Sequence, residues 1–209
     1  SESGLSTQKR RYKKRKPSKK QEQVQEPKIR EVADVEAVPV EEQNVIFRPN
    51  IGPQTEFLAA GEREVLYGGS AGGGKSYAML ADPLRYMGHP SFSGLLLRHT
   101  TEELRELIFK SKEIYPQIWK GIKWSERKMQ WEAPSGARLW MSYLDRDDDV
   151  LRYQGLAFSW IGFDELTQWS TPYAWNYMRS RLRSVAQDLP VYMRATTNPG
   201  GPGHQWVKK

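Results

Sequence analysis

A glycine, four further residues and then Gly-Lys-Ser occur at Gly69–Ser76, directly after the apolar run Val65-Leu66-Tyr67. This is the spacing of a loop that cradles phosphates between a strand and a helix. Gly68, Gly69, Gly72, Gly73 and Gly74 let the backbone curl so that its N–H groups converge on phosphate oxygens without obstruction. Ser70 and Ala71 complete the loop. A helix beginning near Ser76 adds its positive end to the same anion site. Lys75 is then placed to reach the β- and γ-phosphates of a nucleotide, and the Ser76 hydroxyl to hold Mg²⁺.

Two further segments carry chemistry that suits such a loop. Trp160-Ile161-Gly162-Phe163 is an apolar run ending in Asp164-Glu165, as a buried parallel strand ends at the ligand-facing edge of an α/β sheet. There Asp164 would hold the Mg²⁺ water shell, and Glu165 would orient or deprotonate an attacking water. A glutamate in that role is something nucleotide kinases and small GTPases do without, and the Asn-Lys-x-Asp guanine reader is absent. Val191–Thr197 reads as another strand, ending at Asn198-Pro199-Gly200-Gly201. Its polar tip could sense the γ-phosphate by hydrogen bonding, or Asn198-Pro199 could simply open a turn.

Taken together, Gly69–Ser76, Arg152-Tyr-Gln-Gly155, Gly162-Phe-Asp164-Glu165-Leu and Ala195-Thr-Thr-Asn198-Pro resemble the large terminase subunit of tailed bacteriophages, from about Phe47 to the end. That protein is the ATP-driven motor that packages double-stranded DNA into an empty capsid. The resemblance implies ATP as substrate, Mg²⁺ as cofactor and a homo-oligomeric ring on the capsid. It also implies portal and small terminase subunit as partners, in the cytoplasm of an infected bacterial host. It makes Thr196, Thr197 and Asn198 a coupling motif and Gln54 an adenine reader, the latter otherwise a polar residue in a first helical turn. Arg152 becomes the first candidate for an arginine finger donated to a neighbouring subunit, with Arg98 second. A salt bridge to Asp147, Asp148 or Asp149 is the structural alternative for Arg152. The nuclease domain of that family has no counterpart before Lys209, so no DNA cleavage is expected of these residues.

The elements that must position these residues alternate. Strand 65–67 leads into helix 75–87, which Pro83 kinks or interrupts. Strand 95–97 follows, then a helix with Thr100 and Glu103 as its capping box and Leu104, Leu107, Ile108 and Tyr115 on one face. Lys128–Glu132 and Arg138–Leu144 form a hairpin through Pro134-Ser135-Gly136, with tryptophans suited to cross-strand packing. Strand 159–163 precedes a helix capped at Thr171, with Pro172 in its first turn and Ala174, Tyr177, Met178 and Leu182 facing inward. Strand 191–197 closes the series. The expected fold class is α/β: a P-loop NTPase with a mostly parallel sheet flanked by helices, plus an inserted β-hairpin.

Hydrophobic content of 38% is low for a packed domain, and the start of the chain is the reason. Residues 1–20 hold nine Lys/Arg against Glu2, and residues 21–44 hold seven acids against Lys28 and Arg30. Neither stretch has helical or strand periodicity, so residues 1–44 read as a disordered charged tail and 45–209 as the ATPase domain. The basic part is a possible contact for DNA phosphates or for an acidic partner. No apolar stretch approaches the ~20 residues of a membrane span. Without cysteine the chain has no disulfide or thiolate metal site, and its three histidines show no ligand spacing. The leading reading is the ATP-hydrolysing motor domain of a terminase. The alternatives are another DNA-directed P-loop ATPase of helicase-like type, or a nucleotide-binding recruitment module that does not hydrolyse.

Overall fold

The computed structural model describes residues 53–68 and 74–208. The tail, residues 45–52 and the loop positions Gly69, Ser70, Ala71, Gly72 and Gly73 lie outside the described residues, as does Lys209. In chain order the helices are α1 (Pro53–Ala59), α2 (Gly74–Ala81), α3 (Thr101–Ile118), α4 (Tyr173–Arg179) and α5 (His204–Val207). The strands are β1 (Glu64–Tyr67), β2 (Ser93–Arg98), β3 (Lys123–Ser125), β4 (Gln130–Glu132), β5 (Arg138–Tyr143), β6 (Trp160–Phe163) and β7 (Tyr192–Thr196). Among the described residues these seven strands form one sheet in the order β1-β7-β6-β2-β5-β4-β3. β1, β7, β6, β2 and β5 run parallel, and the antiparallel pairings are those of β4 with β5 and with β3.

The central strands are buried along nearly their whole length, which is why their sequences are almost continuously apolar. Alternation splits their side chains between two cores. Leu96, Trp160 and Tyr192 join residues of α1, α2 and α3 on one face. Leu95, Leu97, Ile161, Phe163, Met193 and Ala195 join residues of α4 and the segment around Tyr153 on the other. A Cβ at Gly162 would lie 2.9 Å from Met79 Sδ and 3.0 Å from Leu96 Cδ1, so a glycine there admits α2 closely against β6.

Departures from expectation have local causes. The hairpin is present as β4–β5, but β5 also pairs in parallel with β2, from Ser93↔Arg138 to Arg98↔Tyr143. It is thus a continuation of the main sheet, and β3 extends it by one more strand. Trp124 and Trp131 face each other across that pair with ring centroids 5.5 Å apart. The helix expected over 75–87 stops at Ala81 and passes into a 3-10 turn, Asp82–Tyr86, whose second residue is Pro83. The first residue of that turn, Asp82, is 1% exposed and accepts from Trp160 Nε1 at 2.9 Å and from the Tyr192 hydroxyl at 2.8 Å. That carboxylate ties the end of α2 to β6 and β7. Burial, aided by the Asp82 charge, pushes the Tyr192 phenol far above its ordinary range. Pro172 sits at the N-cap of α4, and Leu182 lies beyond the helix, in a parallel bridge with Phe158. α3 has the expected capping box, in which Thr100 Oγ1 accepts from Glu103 N–H at 3.3 Å and Glu103 accepts from Thr100 N–H at 3.2 Å. Among the described residues no helix is long and apolar enough to cross a membrane.

Candidate active site

Parallel pairing aligns the carboxyl ends of four strands. Tyr67 lies opposite Thr196, Ala195 opposite Phe163, and Phe163 opposite Leu97. The residues that follow are therefore delivered to one edge: Gly68, Thr197-Asn198, Asp164-Glu165 and Arg98. Such an edge is where open α/β sheets bind ligands.

Asp164 is fully buried, and both of its oxygens are engaged. Oδ1 accepts from the Thr196 hydroxyl at 2.6 Å. Oδ2 accepts from the Ser76 hydroxyl at 3.2 Å and pairs with Arg98 Nη1. Glu165 occupies a left-handed conformation at φ 60°, ψ 58°, a strained choice for a residue with a side chain. Its N–H donates to Thr196 Oγ1 at 2.9 Å, so one hydroxyl serves both acidic residues. The Glu165 carboxylate accepts from Asn198 Nδ2 at 3.3 Å and lies 3.7 Å from Arg98 Nη2. Burial raises the Glu165 carboxyl above its usual range, opposed by the Arg98 charge and reinforced by Asp164.

Lys75, in the first turn of α2, is 7% exposed, and its Nζ donates to the Thr197 carbonyl at 2.6 Å. Desolvation lowers its ammonium below the ordinary lysine range, against the pull of Glu165 and Asp164. Gln54 on α1 is 2% exposed and donates from Nε2 to the Gly74 carbonyl at 2.6 Å, tying α1 to the start of α2. A hydroxyl and a carboxylate converging from Ser76 and Asp164 are hard oxygen donors, the set that suits Mg²⁺ alongside phosphate oxygens. Asp147-Asp148-Asp149 opens a 3-10 turn instead, and Asp149 accepts from the N–H groups of Asp145 and Arg146, each at 3.0 Å. Among the described residues no group of three or more His, Cys, Asp or Glu could hold a metal.

The two arginine candidates differ sharply. Arg152 is half-exposed, 3.4 Å from Asp149 Oδ2, and donates to the Tyr143 carbonyl at 3.0 Å. Arg98 is buried against Asp164 and Glu165 of its own chain. Two supporting residues escaped the sequence reading. Thr167 donates to the Asn198 carbonyl at 3.2 Å, and nothing in its local sequence marks it. Arg194 donates to the carbonyls of Ala60 and Glu62 at 2.9 and 2.8 Å, pinning the turn between α1 and β1 to β7. A lone arginine inside the apolar run 191–195 was the available signal, because a buried guanidinium must find acceptors.

A mostly parallel sheet, helices on both faces and a Gly-Lys-Ser helix start at its carboxyl edge make this an α/β fold of the P-loop NTPase type. No protein-family model and no curated protein matches the sequence. Among solved structures, the large terminase of a thermophilic bacteriophage superposes on 75% of this chain with a TM-score of 0.59 at 17% identity. The HK97 bacteriophage large terminase does so over 74% with a TM-score of 0.55 at 12% identity. The N-terminal domain of the DNA packaging ATPase from bacteriophage phi29 covers 69% with a TM-score of 0.50 at 15% identity. The matched region spans 41%, 35% and 78% of those three chains. The likeness is one of fold, and it agrees with the resemblance read in the motifs.

The double duty of the Thr196 hydroxyl yields a stability prediction. Thr196→Val keeps the shape but leaves a buried carboxylate oxygen and the Glu165 N–H without this partner. The expected loss is about 1–3 kcal/mol in denaturant unfolding. A midpoint equal to the wild type would show that the hydroxyl does not hold the two acidic residues.

Proposed function

We propose that this domain is the ATP-hydrolysing motor domain of a phage large terminase subunit, powering the packaging of double-stranded DNA into a procapsid. The observation that carries this reading is the meeting of Lys75, Ser76, Asp164, Glu165 and Asn198 at one sheet edge, in a fold shared with solved packaging ATPases. In this reading the loop Gly69–Gly74 and the start of α2 bind the phosphates of ATP. Lys75 neutralises charge at the β- and γ-phosphates. Ser76 and Asp164 would hold Mg²⁺, which supplies charge neutralisation between the phosphates. Glu165 orients the attacking water and takes its proton, a role that a carboxyl raised by burial fits. Thr196, Thr197 and Asn198 pass the state of the site along β7, because Lys75 and Glu165 both bond to them.

Gln54 is proposed to read adenine from its anchor on Gly74. The working unit is a homo-oligomeric ring docked on the procapsid in the host cytoplasm, engaging DNA, portal and small terminase subunit. The arginine finger in trans falls to Arg152, the half-exposed one of the two, which in its own chain pairs with Asp149. Arg98, enclosed by its own chain, is left for a role in cis.

Glu165→Gln is expected to bind ATP near normally and hydrolyse it roughly 100-fold or more slowly, the scale of general-base contributions. Lys75→Ala should lose binding as well, and Gln54→Ala should weaken ATP more than GTP. Single-turnover hydrolysis and nucleotide titration check all three, and wild-type turnover by Glu165→Gln would remove the water-positioning role. For Arg152, the test mixes two inactive proteins, Arg152→Ala and Glu165→Gln, under conditions where rings assemble. Partial recovery that follows the mixing ratio is expected. A mixture as inactive as its parts, with assembly confirmed, would exclude Arg152 as the finger.

A further inference from the structure

Arg98 is the side chain whose position the reaction outlined above does not use. It ends β2, is 6% exposed, and pairs through Nη1 with Asp164 Oδ2 and through Nη2 with Glu165 Oε2. One guanidinium thus compensates two adjacent carboxylates that would otherwise repel each other. Lys75 Nζ donates to the Thr197 carbonyl at 2.6 Å. The oxygen that Arg98 holds, Asp164 Oδ2, is also the one that Ser76 Oγ reaches, so it is the corner where a divalent cation would bind. A dication and a guanidinium cannot share that oxygen cheaply, because their charges repel at contact distance. Among the described residues, the buried Nε of Arg98 has no hydrogen-bond partner, so the guanidinium has a donor left over for an incoming anion.

We propose that Arg98 is the built-in counter-cation of the Asp164–Glu165 pair: it keeps a free divalent cation out of the site and yields Asp164 only when the cation arrives with nucleotide phosphates. The inference rests on reading the site as one for magnesium nucleotide. Arg98 is on this account a positioning residue. It makes cation loading conditional on nucleotide, so that the acidic pair is never left uncompensated.

The test uses the full chain and Mn²⁺ alone as the probe, followed by its electron paramagnetic resonance signal, with binding of a fluorescent ATP analogue measured in parallel. Wild type should bind Mn²⁺ only weakly without nucleotide and far more tightly with the analogue. Arg98→Gln should bind Mn²⁺ alone about tenfold or more tightly than wild type, as expected when one contacting charge is removed. Adding Asp164→Asn to that variant should abolish the gain, and Arg98→Lys, which keeps the charge, should exclude Mn²⁺ as wild type does. Equal Mn²⁺ affinity of wild type and Arg98→Gln, with normal analogue binding, overturns this inference alone. A gain that survives Asp164→Asn, or one shown equally by Arg98→Lys, also overturns it. If Arg98→Gln fails to fold by circular dichroism, wild type decides: tight Mn²⁺ binding without nucleotide overturns the proposal, and binding only with the analogue supports it. Failure of wild type to bind the analogue would instead overturn the nucleotide reading, and this inference with it.

Discussion

A carboxylate taken fully out of water must be hydrogen-bonded and charge-compensated, and Asp164 satisfies that demand with groups from three separate stretches of the chain. Thr196 comes from the end of β7, Ser76 from the first turn of α2 and Arg98 from the end of β2. Those contacts fix where the strand ends and the helix start must lie relative to one another. The strained backbone of Glu165 depends on the same arrangement, since Thr196 Oγ1 accepts its N–H while donating to Asp164. The sheet order β1-β7-β6-β2 is what makes this meeting possible.

The same contacts suggest how a chemical event could be felt at a distance. Lys75 bonds to the Thr197 carbonyl and Asn198 to Glu165, so the groups proposed to meet the nucleotide already touch the tip of β7. From the middle of that strand, Arg194 holds the turn at Ala60 and Glu62 that leads from α1 into β1. Gln54, on α1, closes the circuit by bonding to Gly74 at the start of α2. A change at the start of α2 therefore has a short bonded route to β7 and back, through packed elements and without a long lever. This connectivity is what the proposed coupling role of Thr196–Asn198 would use, in a motor that converts phosphate loss into movement.

Much of the fold and of the site is legible in the sequence. β6 and β7 announce themselves as apolar runs ended by polar residues, because strands buried on both faces leave no room for alternation. α3 is marked at its start by Thr100 and Glu103, a purely local signal. What sequence did not convey was mostly long-range pairing. Nothing in Arg138–Tyr143 says that it will lie parallel to β2 as well as antiparallel to β4. β3 is three residues long, too short for any periodicity. Arg98 enters the sequence reading only as a second finger candidate, because its pairing is with Asp164 and Glu165, 66 and 67 positions further on. Gln54 was singled out by resemblance, whereas its bond to Gly74 depends on α1 packing beside α2.

The central claim is that four strand ends and the start of α2 form one site for magnesium nucleotide. Hydrogen–deuterium exchange of the full chain, with and without a non-hydrolysable ATP analogue and Mg²⁺, addresses it without presupposing any residue's role. Exchange should slow in the peptides covering 64–81, 160–168 and 192–198 together, while 123–143, at the antiparallel end of the sheet, stays unchanged. Protection confined to 123–143, or none at any of these segments under saturating analogue, would contradict the account.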